Sequence, residues 1–193
     1  MNCPLERIAQ WLSQEVASGN AFSQGAVLST VAKNGRPRSR VVGTMLDASN
    51  VPRFHTSPSS RKFGDIEFCS DISLTYSFNN SLRSISIEGR ISPLQESELD
   101  IDWLKYDEEF RRNYLVFGAN SGTEIKSLSD LESERDILNK GAEALRPESF
   151  VGFKFSAIER ISFYSVQEND FAVNDVYVKN AQTSLWHYSL LIP

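Results

Sequence analysis

Leu5, Ile8, Ala9, Leu12 and Val16 recur at helical spacing, so the sequence predicts an amphipathic helix over 5–16, ended by Gly19-Asn20. From Gly25 the period shortens. Two β-rich runs, 26–32 and 38–46, flank Asn34-Gly35, a pair that tolerates the positive φ angles of a tight hairpin turn. A second turn at 47–52 leads into the short extended run Arg53-Phe54-His55-Thr56-Ser57. After Pro58 a brief helix is expected over 59–68, with Ser59 or Ser60 able to cap its exposed amides.

Strict alternation follows. Ile72-Ser73-Leu74-Thr75-Tyr76-Ser77-Phe78 and Ile85-Ser86-Ile87-Glu88-Gly89-Arg90-Ile91 flank the turn Asn79-Asn80-Ser81 and read as half-buried antiparallel strands. Residues 96–117 turn acidic and helical, with Leu99, Trp103, Tyr106, Phe110, Tyr114 and Phe117 on one stripe. A second helix is expected at about 128–144. The chain closes with strands at 150–155, 160–166, 176–178 and 185–190. Hairpin-linked strands on both sides of a helical segment suggest a mostly β protein: a closed or split antiparallel barrel with flanking helices, since closure removes exposed edges. The expected organisation is a single domain over 1–193 with a helical insertion at about 95–146.

Composition narrows the classes of function. A net charge of -5 argues against broad nucleic-acid binding, which depends on many Lys and Arg contacts to phosphates. Only two histidines, His55 and His187, are present, and no Cys/His spacing suits zinc, so no metal site is expected. Cys3 and Cys69 read as free thiols, as in a reducing compartment. No window approaches the roughly 20 apolar residues that span a bilayer. A cytoplasmic protein without membrane contact is the expectation.

Chemistry concentrates between Arg40 and Lys62. A strand carrying Arg40, a strand carrying His55 and Thr56, and a helix start with Ser59, Ser60, Arg61 and Lys62 fall in one hairpin unit. Helix-start amides favour anions by hydrogen bonding and by field. Arg adds a planar two-pronged donor and Lys a flexible point charge. These residues alone leave two readings open, a phosphate site or a capped and solvated surface helix. Neither a Walker loop nor a Gly-x-Gly-x-x-Gly motif is present.

The order Ala26-Val27-Leu28-Ser29-Thr30-Val31, Asn34-Gly35-Arg36-Pro37, Arg40-Val41-Val42, Phe54-His55-Thr56-Ser57 with Ser60-Arg61-Lys62, and Arg83-Ser84-Ile85-Ser86-Ile87-Glu88-Gly89 resembles the pyridoxamine 5'-phosphate oxidase-like family of FMN-binding split barrels. Gly152, Ile161-Ser162-Phe163-Tyr164 and the stretch from Trp186 to Pro193 resemble its closing strands more weakly. The resemblance implies that Arg40 and the backbone of Val41, Val42, Gly43 and Thr44 border the flavin and its ribityl chain. It implies further that Thr56, Ser60, Arg61 and Lys62 hold the FMN phosphate, with His55 beside them. Ser84 and Tyr164 would lie near the ring. A homodimer with FMN between subunits, and a small-molecule substrate, are expected on the same basis.

The sequence also departs from that family. Met45 stands where the oxidase has a substrate-binding lysine, Ser84 where it has a glutamine, and Tyr164 where it has a tryptophan. The last hairpin reads Asn169-Asp170-Phe171-Ala172-Val173-Asn174-Asp175-Val176 in place of an Arg-x-His segment that grips the vitamin phosphate. The resemblance thus implies a flavin site that is mostly retained and a vitamin B6 phosphate site that is largely absent. An FMN-dependent oxidoreductase acting on another small molecule is therefore the leading expectation; a flavin carrier or sensor without turnover is the alternative. Authentic pyridoxamine or pyridoxine phosphate oxidase activity ranks below both. Arg111 and Arg112 read as solvated helix residues and His187 as a packing or surface residue, and no catalytic side chain is named.

Overall fold

In the computed structural model, which describes residues 3–19, 24–138 and 145–193, inward apolar residues alternate with outward small polar ones along most strands, and this pattern rolls the sheet into a barrel. The elements in chain order are α1 (Pro4–Ala17), β1 (Gly25–Val31), β2 (Pro37–Leu46), β3 (Pro52–Thr56), α2 (Arg61–Phe68), β4 (Asp71–Phe78) and β5 (Arg83–Pro93). They continue with α3 (Glu96–Lys105), α4 (Glu108–Phe117), α5 (Leu128–Leu138), β6 (Val151–Val166), β7 (Ala172–Lys179) and β8 (Trp186–Leu191).

All strand pairings are antiparallel, in the order β3-β2-β1-β4-β5-β6-β7-β8, and β3 also pairs with β6. That last pairing closes a six-stranded barrel and leaves β7 and β8 as an extension. The Asn34-Gly35 hairpin forms as expected: Gly35 has φ 77°, and its amide donates to the Ala32 carbonyl at 2.7 Å. Leu28, Leu74, Ile85, Ile87, Ile161 and Phe163 fill the interior with no exposed surface. Each such burial contributes roughly 1.5–3 kcal/mol.

Two of the expected elements take different forms. The runs at 150–155 and 160–166 are one strand, β6, whose first part pairs with β3 and whose last part pairs with β7. Its register against β5 shifts twice, around Gly89 and Arg90, where β6 bulges. A side chain at Gly89 would bring its Cβ within 2.1 Å of the Ala157 carbonyl oxygen, so glycine allows the close approach. The expected single helix over 96–117 breaks between Tyr106 and Asp107. Tyr106 is extended, and the Asp107 carboxylate caps a new helix by accepting from the Phe110 amide at 2.7 Å. The aromatic stripe survives the break, because Leu99, Trp103 and Tyr114 pack with Leu94 and Phe150, flanked by Tyr106 and Phe110. For the later helix, the expected continuation to Ala144 lies outside the described residues from 139 onward, as does Asn20 after the first helix.

Helices seal the barrel at opposite ends. α1 packs Trp11 edge-on against Phe163 and meets the β4–β5 turn end, where Glu15 accepts from the Ser81 hydroxyl. α2 lies at the β1–β2 turn end and reaches Thr30, Arg38 and Arg40 through Asp65. Among the described residues no helix is long and apolar enough to cross a membrane.

Candidate anion and cofactor site

Arg38 and Arg40 share one face of β2, and Thr30 sits directly across from Arg38 on β1. This places two guanidinium groups at the barrel mouth beneath α2. The buried Asp65 carboxylate on α2 accepts from Arg38 Nη1 at 2.7 Å, from Thr30 Oγ1 at 2.9 Å and from Arg40 Nη2 at 3.2 Å. Arg40 Nη1 also donates to Thr30 Oγ1 at 2.7 Å and to the Leu28 carbonyl at 3.3 Å. Burial lowers the Arg40 pKa against the opposing pull of Asp65, yet an arginine stays charged in water-accessible protein.

The start of α2 adds the rest. Arg61 is exposed, Lys62 is half-buried, and neither makes an ion pair among the described residues. Burial, with the nearby Arg40 charge, lowers the Lys62 pKa. Arg38, Ser39, Arg40, Ser60, Arg61 and Lys62 line one cavity of about 400 Å³ together with Ser121 and Gly122 of the α4–α5 connection. Ser60 occupies the capping position of α2, but its hydroxyl pairs with Thr56 Oγ1 at 2.8 Å and does not cap the helix. Four cations thus face one carboxylate around a cavity at a helix start. The chemistry of this donor set suits a phosphate.

The other residues singled out in the sequence are distributed along β2 and across the sheet. Val41 and Gly43 face outward, while Val42 and Thr44 point into the barrel. Thr44 Oγ1 donates to the Gln24 carbonyl at 2.7 Å and lies 2.9 Å from the Tyr76 hydroxyl, so this side chain is committed to the core. Val41 lines a second outward cavity of about 340 Å³ with Gly25, Val27, Thr75 and Ser77. Ser77 pairs with Ser84, and Ser84 pairs with Tyr164, in register across β4, β5 and β6. The backbone of β2 and the row Ser77-Ser84-Tyr164 therefore border one outer face.

His55 takes a different direction. Its neighbour Phe54 points into the core, so its own ring points out of the barrel, where α3 covers it. The ring stacks on Phe150 at 4.5 Å between centroids; Nε2 lies 3.1 Å from Asp102 Oδ2, and Nδ1 lies 3.0 Å from the Tyr106 hydroxyl. The structure brings the His55 side chain to Asp102, away from Arg40, and leaves Thr56 as the residue of that pair beside Ser60. Arg53 Nη2 donates to Asp102 Oδ1 at 2.6 Å, and Lys105 Nζ does so at 3.1 Å. Burial pushes the His55 pKa down to about 4, outweighing the attraction of Asp102.

Sequence reasoning missed Asp65, Thr30 and Arg38. The only signal available was the alternation that places Arg38 beside Arg40, together with a carboxylate one helical turn after Arg61. At the departures from the family pattern, Met45 lines a cavity of about 520 Å³ between α1 and β2, with Leu12, Val16, Thr44, Leu46 and Lys105. Asp175 is held by Arg7 at 2.6 Å and by the Tyr188 hydroxyl at 2.8 Å. The Asn174 side-chain oxygen is buried without a partner among the described residues. His187 is exposed, Arg112 pairs with Glu108, and Cys69 is a half-buried free thiol.

No family model matches the chain. A pyridoxine/pyridoxamine 5'-phosphate oxidase from Leptospira biflexa serovar Patoc is 28% identical over 193 residues, covering 98% of this chain and 89% of that protein. One from Dichelobacter nodosus is 32% identical over 95 residues, covering 49% of this chain and 45% of the relative. PhzG from Burkholderia lata 383, solved in complex with tetrahydrophenazine-1-carboxylic acid, superposes with a TM-score of 0.86 at 21% identity, covering 98% of this chain and 92% of that one. A pyridoxamine 5'-phosphate oxidase-related, FMN binding protein from Nostoc punctiforme PCC 73102 superposes with a TM-score of 0.81 at 17% identity over the whole of both chains. Fold and strand order define the class, a split β-barrel with attached helices. Within that class the chain is similar in sequence, over nearly its whole length, to proteins named pyridoxine/pyridoxamine 5'-phosphate oxidase.

Proposed function

We propose that the chain binds FMN and acts as an FMN-dependent oxidoreductase on a small organic molecule other than pyridoxamine 5'-phosphate. The observation that carries this reading is the pair of cations at the start of α2, Arg61 and Lys62, which lack carboxylate partners among the described residues and share a cavity with Arg40. Arg40, Arg61 and Lys62 would hold the phosphate, with the Thr56 and Ser60 hydroxyls behind them. The ribityl chain and ring would follow the outward backbone of β2 at Val41 and Gly43. Three strand spacings separate β2 from β5, about 14 Å, so Ser84 is within reach of a flavin laid across the outer face. Bound FMN supplies a hydride acceptor and donor; the protein supplies position, charge and exclusion of water.

A non-phosphorylated substrate is favoured by the chain's own residues. Met45 replaces a cation, and the cavity beside it is mostly apolar, with Lys105 as its one cation among the described residues. The last hairpin offers Asp170 and Asp175 where a phosphate would need Arg or His. The outer face of β1, β2, β4 and β5 carries small side chains, among them Val27, Ser29, Val41, Ser73, Thr75 and Ser86, which suits pairing with a second copy and a shared flavin. The same losses support the alternative of a flavin carrier without turnover.

Anaerobic mixing of the FMN-loaded protein with reduced nicotinamide cofactors and with a panel of small carbocyclic and heterocyclic reductants tests turnover. The oxidoreductase reading expects rapid loss of visible flavin absorbance with at least one of them, and no pyridoxal phosphate from pyridoxamine phosphate. Absence of reduction by every compound would favour the carrier. Brisk pyridoxal phosphate formation would restore the family reaction.

A further inference from the structure

Asp65 is buried in the middle of the cation group, where a carboxylate weakens anion binding by simple charge. Its geometry gives it a different role. Both of its oxygens are engaged, one by Arg38 and the other by Thr30 and Arg40. Thr30 in turn accepts from Arg40 Nη1, so Asp65, Thr30 and Arg40 form a closed ring of hydrogen bonds.

Counting donors shows what the ring leaves over. An arginine carries five N–H groups. On Arg40 both Nη1 hydrogens are used, by Thr30 and by the Leu28 carbonyl, and one Nη2 hydrogen is used by Asp65. Nε and the second Nη2 hydrogen make no bond among the described residues. These two are parallel donors on one edge of the guanidinium, the pair that binds two oxygens of a phosphate at once.

We propose that Asp65 is the positioning residue of the anion cavity, locking Thr30, Arg38 and Arg40 so that the Nε/Nη2 edge of Arg40 is presented to the cofactor phosphate. This rests on the FMN reading above and deepens it. Asp65 touches no ligand; it acts through Arg40. A clamp already ordered before binding avoids the entropy cost of fixing a long side chain when the ligand arrives. Asp65 also explains how two guanidinium groups two residues apart on one strand coexist at a half-buried barrel mouth.

The test compares FMN with riboflavin, which lacks only the phosphate, in the full-length wild type, Asp65→Asn and Thr30→Val, by flavin-fluorescence titration. The wild type is expected to prefer FMN strongly. Asp65→Asn, which removes a negative charge, is expected to weaken FMN binding about 10-fold and to leave riboflavin binding nearly unchanged. Thr30→Val keeps every charge and is expected to shift the FMN-to-riboflavin ratio the same way by about 3-fold. Equal or tighter FMN binding by Asp65→Asn is the result of a merely neighbouring charge and overturns the proposal. Should Asp65→Asn fail to fold, as judged by its melting transition, Thr30→Val decides alone, and an unchanged ratio overturns the proposal. A wild type that binds neither flavin, or both equally, instead overturns the FMN phosphate reading on which the proposal stands.

Discussion

His55 Nε2 lies 3.1 Å from Oδ2 of the fully buried Asp102, and this contact joins the barrel to the helices between β5 and β6. Asp102 can only accept, so Nε2 carries the proton and Nδ1 accepts from the Tyr106 hydroxyl. Arg53 and Lys105 already neutralise Asp102, and burial keeps the imidazole uncharged.

A pH dependence follows. The folded pKa of His55, about 4, lies below its ordinary 6.5, so the unfolded chain binds the proton more readily. Stability from this group is complete above about pH 6.5 and is lost as pH falls toward about 4, amounting to about 3 kcal/mol. Thermal melts of the wild type and His55→Gln across that window check this. The wild-type midpoint should fall on acidification, and the variant's curve should be flatter.

Asp102→Ala should be far more damaging than loss of a surface carboxylate. It strands Arg53, whose side chain is 7% exposed, without its 2.6 Å partner. Removing one member of such a buried pair costs about 3–5 kcal/mol. Urea unfolding of this variant beside Asp130→Ala, an exposed control on α5, measures the difference; near-equal midpoints would contradict the packing described.

Local chemistry made much of this fold legible. The Asn34-Gly35 turn and the alternation at 72–78 and 85–91 specify hairpins whatever surrounds them. The break at Asp107 was also written locally, as a capping residue followed by Glu108 and Glu109. What escaped depends on distant partners. The charged pair Glu159-Arg160 interrupts the apolar pattern of β6 at a bulge that only β5 explains. The outward direction of His55 follows from parity with Phe54, but its burial required knowing that α3 covers that face. Asp65 was invisible because its partners lie 25 to 35 positions earlier and meet it only when α2 closes the barrel mouth.

Lys62→Gln should weaken FMN binding about 10-fold at low ionic strength and Arg61→Gln by less, because screening is weaker for the half-buried Lys62 charge than for the exposed Arg61. The gap between wild type and variants should narrow in high salt. Titrations at two salt concentrations check this, and riboflavin binding should be insensitive to both substitutions.

Val41, 59% exposed in the single chain, is placed by the homodimer reading at the subunit contact. Val41→Lys should convert a dimer to a monomer in light scattering at micromolar concentration and reduce flavin uptake at the same time. A wild type that is monomeric at high concentration would contradict the shared-site arrangement.

The most direct measurement is the titration of the purified full-length protein with FMN, followed by flavin fluorescence and by the visible spectrum after desalting. The FMN reading expects saturable binding of one FMN per chain, retained through desalting and lost in Arg40→Gln. A protein that stays colourless and leaves free FMN fluorescence unchanged would contradict it.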